Sequence, residues 1–225
     1  MPNEIDLNSR SVQDYLKALY KLQRDDAPVA TNALAARLQV APASATAMIK
    51  KLAEAGLAEH IPYQGCRLTE AGRKQALRMV RRHRVIEQFL QQVLHYGWDE
   101  VDEEAEVLEH AVSDKLVERM WQVLGKPAYD PHGSPIPTAD GQLPEQQSQP
   151  LTQVREGERV CVRRICEQQP QQLRQLEALG LAPGAQLILE AVAPEQVCIR
   201  LGDHVHTLPY ALAEAIQVSY ALSAD

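Results

Sequence analysis

Glu106, Glu109 and His110 stand at i, i+3 and i+4, a spacing that sets two carboxylates and an imidazole on one face of a helix. Such a face can grip one cation. His83 and Glu87 are likewise at i, i+4, one helix earlier. Antiparallel packing of the two helices would bring both sets together, as metal sites form in helical bundles. The donors are hard oxygens and imidazole, with neither thiolate nor thioether among them, which points away from Cu(I) and toward Mn, Fe(II) or Zn. Seven of the eleven residues from Asp99 to Glu109 are acidic, and without a cation their mutual repulsion loosens this region. A second reading stays open, in which acidic residues at a helix start complement the helix dipole and hold no ion; Asp102 and Glu103 suit that role. The lone histidines His95, His204 and His206 read as surface or core residues rather than ligands.

The elements that must position these groups follow from hydrophobic spacing. Val12, Tyr15, Leu16, Leu19, Tyr20 and Leu22 recur with helical period. A short helix follows, with Thr31 and Asn32 as N-cap types and Leu34, Ala35 and Leu38 as its apolar face. After the turn Gln39-Val40-Ala41, Pro42 suits a first helical position, and the helix runs through Met48, Ile49 and Leu52 to Gly56. Two short helices joined by a tight turn are the helix-turn-helix pattern. Residues 57–61 and 66–68 flank Pro62-Tyr63-Gln64-Gly65 and predict a β-hairpin, the wing. Thr69 then caps a helix that runs past Met79, His83 and Phe89 to Leu94, and a further helix is expected from Val101 to about Val123.

Six of the 14 prolines lie between Lys126 and Leu151, together with Gly133, Gly141 and a Glu-Gln-Gln-Ser-Gln run, which marks a linker. Beyond it, β-prone runs at 159–165, 186–191, 197–201 and 216–220, with one helix at 170–179, predict a small β-barrel. The chain thus reads as mainly α: a winged helix-turn-helix over 1–75, a helical domain over 76–126, a Pro-rich linker over 127–150 and a barrel over 151–225.

In the second helix of the helix-turn-helix, Ala43, Ser44 and Thr46 are small enough to approach base edges, and Lys50 and Lys51 lie one turn on, within reach of phosphates. Thr31, Pro42 and the wing residue Arg67 are counted with them as DNA-facing. The competing reading is a plain helical hairpin packed against a neighbour. The wing and the run Arg73, Lys74, Arg78, Arg81, Arg82, Arg84 favour DNA.

Charge is distributed accordingly. The net charge is -7, yet residues 1–85 carry 14 Lys and Arg against 8 Asp and Glu, and residues 86–225 carry 9 against 22. A basic N-terminal third can meet phosphates while the acidic remainder holds cations. No run approaches the roughly 20 apolar residues of a membrane span, and residues 1–10 lack the pattern of a signal peptide, so a cytoplasmic protein is expected. Cys66, Cys161, Cys166 and Cys198 show no CxxC pairing and read as reduced thiols. A metal-dependent hydrolase would need a nucleophile or oxyanion site that no residues supply, so no enzyme is expected. A DNA-binding module indifferent to metal is the other alternative.

Taken in order, these segments resemble the DtxR/MntR family of metalloregulators from about Val12 to Ile216. The matching stretches are residues 13–20, residues 40–46, Arg82 to Glu87, Glu106 to Ser113, residues 130–137 (Asp-Pro-His-Gly-Ser-Pro-Ile-Pro, where Cys usually comes first) and Leu179 to Gly184, the last resembling an FeoA-like, SH3-like domain. The resemblance implies a homodimer on a double-stranded DNA operator. It also implies a repressor of metal-homeostasis genes in which metal binding orders the N-terminal domain. The implied primary ligands are Asp14, Glu106, Glu109 and His110, with His83 nearby. Iron-type members carry Met and Cys where this chain has Asp14 and Glu106, so the resemblance favours Mn²⁺, with Fe²⁺ as the alternative. One manganese subgroup has Glu where Lys17 stands, and this departure argues against its two-metal cluster. A second site is implied at Glu87, Asp130, His132 and Glu167.

Overall fold

The computed structural model describes residues 5–23, 25–166 and 169–220. Glu167, expected in the second site, lies outside them. Two compact units are present: Met1–His83 with Val107–Asp114 and Pro137–Leu143, and Arg84–Glu106 with Lys115–Ile136 and Pro144–Asp225.

In the first unit, α1 (Arg10–Leu22) buries Val12, Tyr15, Leu16 and Leu19 on the predicted stripe. They join Leu34 of α2 (Thr31–Leu38) and Ile49 and Leu52 of α3 (Pro42–Glu54) in one core. Burying each such side chain contributes about 1.5–3 kcal/mol. The N-cap of α2 is Ala30 with no side-chain bond, so Thr31 is the first helical residue rather than the cap expected. Gln39 adopts φ +54 between the two helices, which makes the turn tight. Pro42 opens α3 as expected, since its missing N–H is one that a first turn leaves unbonded anyway.

The wing is the antiparallel pair β1 (Ala58–Ile61) and β2 (Gly65–Leu68). Val29 extends it through paired bonds to Cys66, at 2.7 and 3.0 Å. Gly65 is required there: at φ +121, a Cβ would lie 2.0 Å from the Val29 carbonyl oxygen. Thr69 Oγ1 accepts from Gly72 N at 3.1 Å and starts α4 (Glu70–Leu94) as predicted.

The single helix expected from Val101 to Val123 is two: α5 (Val101–Leu108) and α6 (Asp114–Val123). The break has a cause in the first unit. Arg78 and Arg82 both pair with Asp114, which starts α6, and Arg82 also donates to the Glu109 carbonyl at 3.3 Å. These bonds hold residues 109–113 as a turn.

The second unit holds a six-stranded antiparallel sheet in the order β3 (Gln149–Pro150), β8 (Ile216–Tyr220), β4 (Arg159–Ile165), β5 (Gln186–Val192), β6 (Gln196–Leu201), β7 (His204–Pro209). Bulges interrupt the pairing of β4 with β8 and of β5 with β6. With α7 (Pro170–Ala178) and α8 (Tyr210–Glu214), the sheet encloses a core of Val160, Val162, Leu173, Leu176, Leu187, Leu189, Ile199 and Leu208. It has the SH3-like character expected but is open, not a closed barrel: β3 and β7 are its edges among the described residues. β3, β7 and α8 were not anticipated from the sequence. No helix among the described residues is long and apolar enough to cross a membrane.

Candidate metal centre and nucleic-acid face

Asp14 on α1 and Glu109 and His110 in the turn after α5 converge, one ligand atom of each lying within 4.8 Å of the others. Glu109 and His110 thus stand just past the end of α5 and not on a continuous helix with Glu106. Glu106, half-buried on α5, falls in the second unit and is not one of the three.

The donors are prepared by their neighbours. His110 Nδ1 is 2.8 Å from Gln13 Oε1, and the Gln13 amide nitrogen donates to the Leu7 carbonyl at 3.1 Å. The second bond orients the amide so that its oxygen accepts the Nδ1 proton, which leaves the lone pair on Nε2. His110 Nε2 is buried without a hydrogen bond although Asp14 Oδ1 is only 2.9 Å away. Proximity without bonding geometry fits two ligand atoms aimed at a shared ion. Two carboxylates and one imidazole also suit a hard divalent cation.

Glu109 is fully buried. Burial by itself raises its carboxyl, but the hydrogen bond with His83 and the charge and hydrogen bonds of Lys17 more than offset this and hold it below the usual carboxylate range. His83 Nδ1 is 2.6 Å from Glu109 Oε2, and Lys17 Nζ is 2.8 and 2.7 Å from the two Glu109 oxygens. The expected approach of His83 to the Glu109 and His110 segment is therefore present. Glu87, one turn further along α4, joins a different set.

That set lies in the second unit. Asp130 Oδ1 accepts from the backbone of His132 and Ser134 at 2.9 and 2.8 Å, while Arg84 Nε lies 3.5 Å from Oδ2. His132 donates Nε2–H to the Trp98 carbonyl at 2.9 Å and stacks on the indole, which turns its Nδ1 toward Glu87 Oε1 at 3.8 Å. Burial first, and the Glu87 charge second, push the Asp130 carboxyl up to about 6. Two carboxylates and an imidazole nitrogen crowded in a buried site fit a cation there as well.

Part of the acidic stretch has other work. Asp99 pairs with Arg174, and Glu100 accepts from Gly97 N. Asp102, Glu103 and Glu104 occupy the first turn of α5, where negative charge complements the helix dipole.

On the DNA side, Pro42, Ala43, Ser44, Lys50 and Lys51 are exposed on α3, and Thr46 is half-buried with its hydroxyl donating to the Pro42 carbonyl at 2.9 Å. Thr31 and Arg67 are also half-buried, and Arg67 meets Glu59 across the hairpin at 2.8 Å. In the basic run on α4, Arg73 and Lys74 are exposed, whereas the other four have internal partners. Arg78 and Arg82 are tied to Asp114, Arg81 donates to the Pro137 carbonyl and Arg84 to the Pro135 carbonyl. These are internal ties, and they leave Lys50 and Lys51 as the exposed cations of α3.

Gln13 was missed in the sequence, and Lys17 was noted there only as a departure from one manganese subgroup. Gln13 and Lys17 are buried polar residues at i, i+4 on a helix whose other buried positions are apolar, which was the available signal. Tyr63, fully exposed with φ +64, sits in the hairpin turn where the sequence placed it.

Three family models match in chain order: the iron dependent repressor N-terminal DNA binding domain over residues 8–66, the iron dependent repressor metal binding and dimerisation domain over 69–138, and the FeoA domain over 149–220. The iron-dependent repressor IdeR of Mycobacterium leprae is 27% identical over 217 residues, covering 91% of this chain and 94% of its own. A manganese-dependent transcriptional repressor solved in complex with manganese aligns with TM-score 0.85 and 40% identity over 93% of this chain and 100% of its own. ScaR with bound Zn²⁺ aligns with TM-score 0.78 and 32% identity, over 93% and 99%. The chain belongs to the iron-dependent repressor family, the DtxR/MntR family of metal-dependent transcriptional repressors.

Proposed function

We propose that this repressor responds to Mn²⁺ and acts as a cytoplasmic homodimer on a double-stranded operator that controls metal-homeostasis genes. The observation that carries the reading is the convergence of Asp14, Glu109 and His110 without a sulfur donor, since oxygen-rich sites do not reward Mn²⁺'s softer competitors. Asp14, Glu106, Glu109 and His110 would hold the ion, with His83 beside them. Glu87, Asp130 and His132, with Glu167, would form a second site. The ion supplies fixed positive charge where these carboxylates otherwise repel.

Because the converging ligands come from α1 and from the turn after α5, metal would tie α1, which packs against α2 and α3, to the 107–114 segment. Affinity for DNA would then change through the position of α3, a coupling between two distinct sites. Pro42, Ala43, Ser44 and Thr46 would face bases, with Thr31, Lys50, Lys51 and Arg67 at the backbone. Functionally the chain would divide at 1–75, 76–126, 127–150 and 151–225.

A second reading, response to Fe²⁺, draws support from the IdeR relatives, which are iron-dependent repressors. Operator affinity measured against free Mn²⁺, Fe²⁺ under anaerobic conditions, Zn²⁺ and chelator separates the two. Equal affinity in chelator and in every metal would remove metal dependence altogether.

A further inference from the structure

Glu109 turns its two oxygens toward different neighbours. Oε1 lies 3.6 Å from His110 Nε2, on the side of Asp14, whereas Oε2 lies 2.6 Å from His83 Nδ1. Lys17 Nζ spans both, at 2.8 and 2.7 Å, and is 3.0 Å from His83 Nδ1. The Lys17 side chain is 5% exposed and that of Glu109 is fully buried. Lysine is almost never buried without a partner. Here the ammonium is a cation already seated between a carboxylate and an imidazole.

Taking Asp14, Glu109 and His110 as metal ligands, we propose that Lys17 is the resident cation of the His83 half of this site and competes with the divalent ion for Glu109. In the metal-free chain, Lys17 neutralises Glu109. Asp14, His110 and the Glu109 oxygen on their side would hold the metal, while Lys17 keeps the other Glu109 oxygen. His83 then stays with Lys17, outside the coordination sphere. The fixed positive charge repels the entering dication and removes part of the charge on the ligand it needs most. Lys17 is thereby a residue that sets affinity and holds the metal to one side of Glu109.

The test measures Mn²⁺ binding by the loss of the free-ion electron paramagnetic resonance signal, together with thermal unfolding in chelator and in Mn²⁺. Lys17→Met and Lys17→Gln should bind Mn²⁺ at least roughly tenfold more tightly than the natural chain, because a nearby charge repulsion is removed. Both should melt lower in chelator, where Glu109 has lost its counter-charge, and gain more from Mn²⁺ than the natural chain does. Lys17→Arg should retain natural-like affinity. A variant that folds only when Mn²⁺ is present supports the same conclusion, since the metal then does what the ammonium did. Binding by the Met and Gln variants no tighter than by the natural chain would overturn the role of Lys17. If the natural chain bound no Mn²⁺ that depends on Glu109, the site itself would be wrong, a separate outcome.

Discussion

Gln13 accepts the Nδ1 proton of His110 at 2.8 Å, and this one bond decides which imidazole nitrogen faces Asp14. Gln13 is itself held by the Leu7 carbonyl and is buried. Replacing it with Leu keeps the volume but frees the ring to rotate or change tautomer. Loss of an outer partner of this kind typically costs 10- to 100-fold in metal affinity. Gln13→Leu should therefore need about that much more Mn²⁺ for half-maximal operator binding, with DNA affinity at saturating metal little changed. An unchanged metal midpoint would mean that the amide does not set the ring.

The histidine and carboxylate pair Glu109 and His110 was legible from spacing because the two residues stay adjacent whatever the backbone does. The break after Leu108 was not, since it depends on Arg78 and Arg82 reaching Asp114 from another helix. Helices bounded by local chemistry, such as α3 between Pro42 and Gly56, were found with nearly correct ends. β7 was missed although Val205 and Thr207 are β-branched, because His204 and His206 were read as isolated residues, and its pairing to β6 across Gly202-Asp203 makes the strand. Lys17 was visible only as a departure from relatives, since a lysine in a helix ordinarily faces water.

Glu109→Ala and His110→Ala should both abolish metal-stimulated operator binding, yet they should differ without metal. Removing the Glu109 carboxylate strands the buried Lys17 ammonium, and breaking a buried ion pair costs on the order of 3–5 kcal/mol. His110→Ala removes no charge partner of Lys17. In chelator, Glu109→Ala should melt well below His110→Ala, and calorimetry or circular dichroism would read the gap. Similar melting of the two variants would argue against a charged pair at this position.

On α3, the exposed Lys50 and Lys51 and the small residues before them should separate affinity from specificity. Lys50→Ala or Lys51→Ala should weaken operator and random DNA alike and flatten the salt dependence by about one unit for each phosphate no longer neutralised. Ser44→Ala should instead narrow the preference for operator. Thr46→Ala should act more weakly, because its hydroxyl proton is spent on the Pro42 carbonyl. Arg67 meets Glu59 across the wing, so Glu59→Ala should raise DNA affinity at low salt. Binding curves at several salt concentrations distinguish these outcomes, and a Lys variant that altered sequence preference alone would contradict the assignment.

The Asp130 carboxyl, raised to about 6 by burial and by Glu87, gives the metal-free chain a pH dependence whose direction is fixed. Between the unfolded value near 3.9 and the folded value, the folded chain holds a proton that the unfolded chain releases. Stability from this group is therefore lost as pH rises through that window, and above it the buried charge costs up to about 3 kcal/mol. Asp130→Asn imitates the protonated form and can keep the Oδ1 bonds from the His132 and Ser134 backbone. In chelator at pH 7.5 it should raise the melting temperature on the order of 5 °C, whereas at pH 4 it should change little. Adding Mn²⁺ at pH 7.5 should reverse the order, because a cation bound beside Glu87 and His132 needs the ionised Asp130. A melting temperature for Asp130→Asn that tracked the natural chain at both pH values would show that this carboxyl is not strained by its burial, and failure of Mn²⁺ to separate the two would remove Asp130 from the second site.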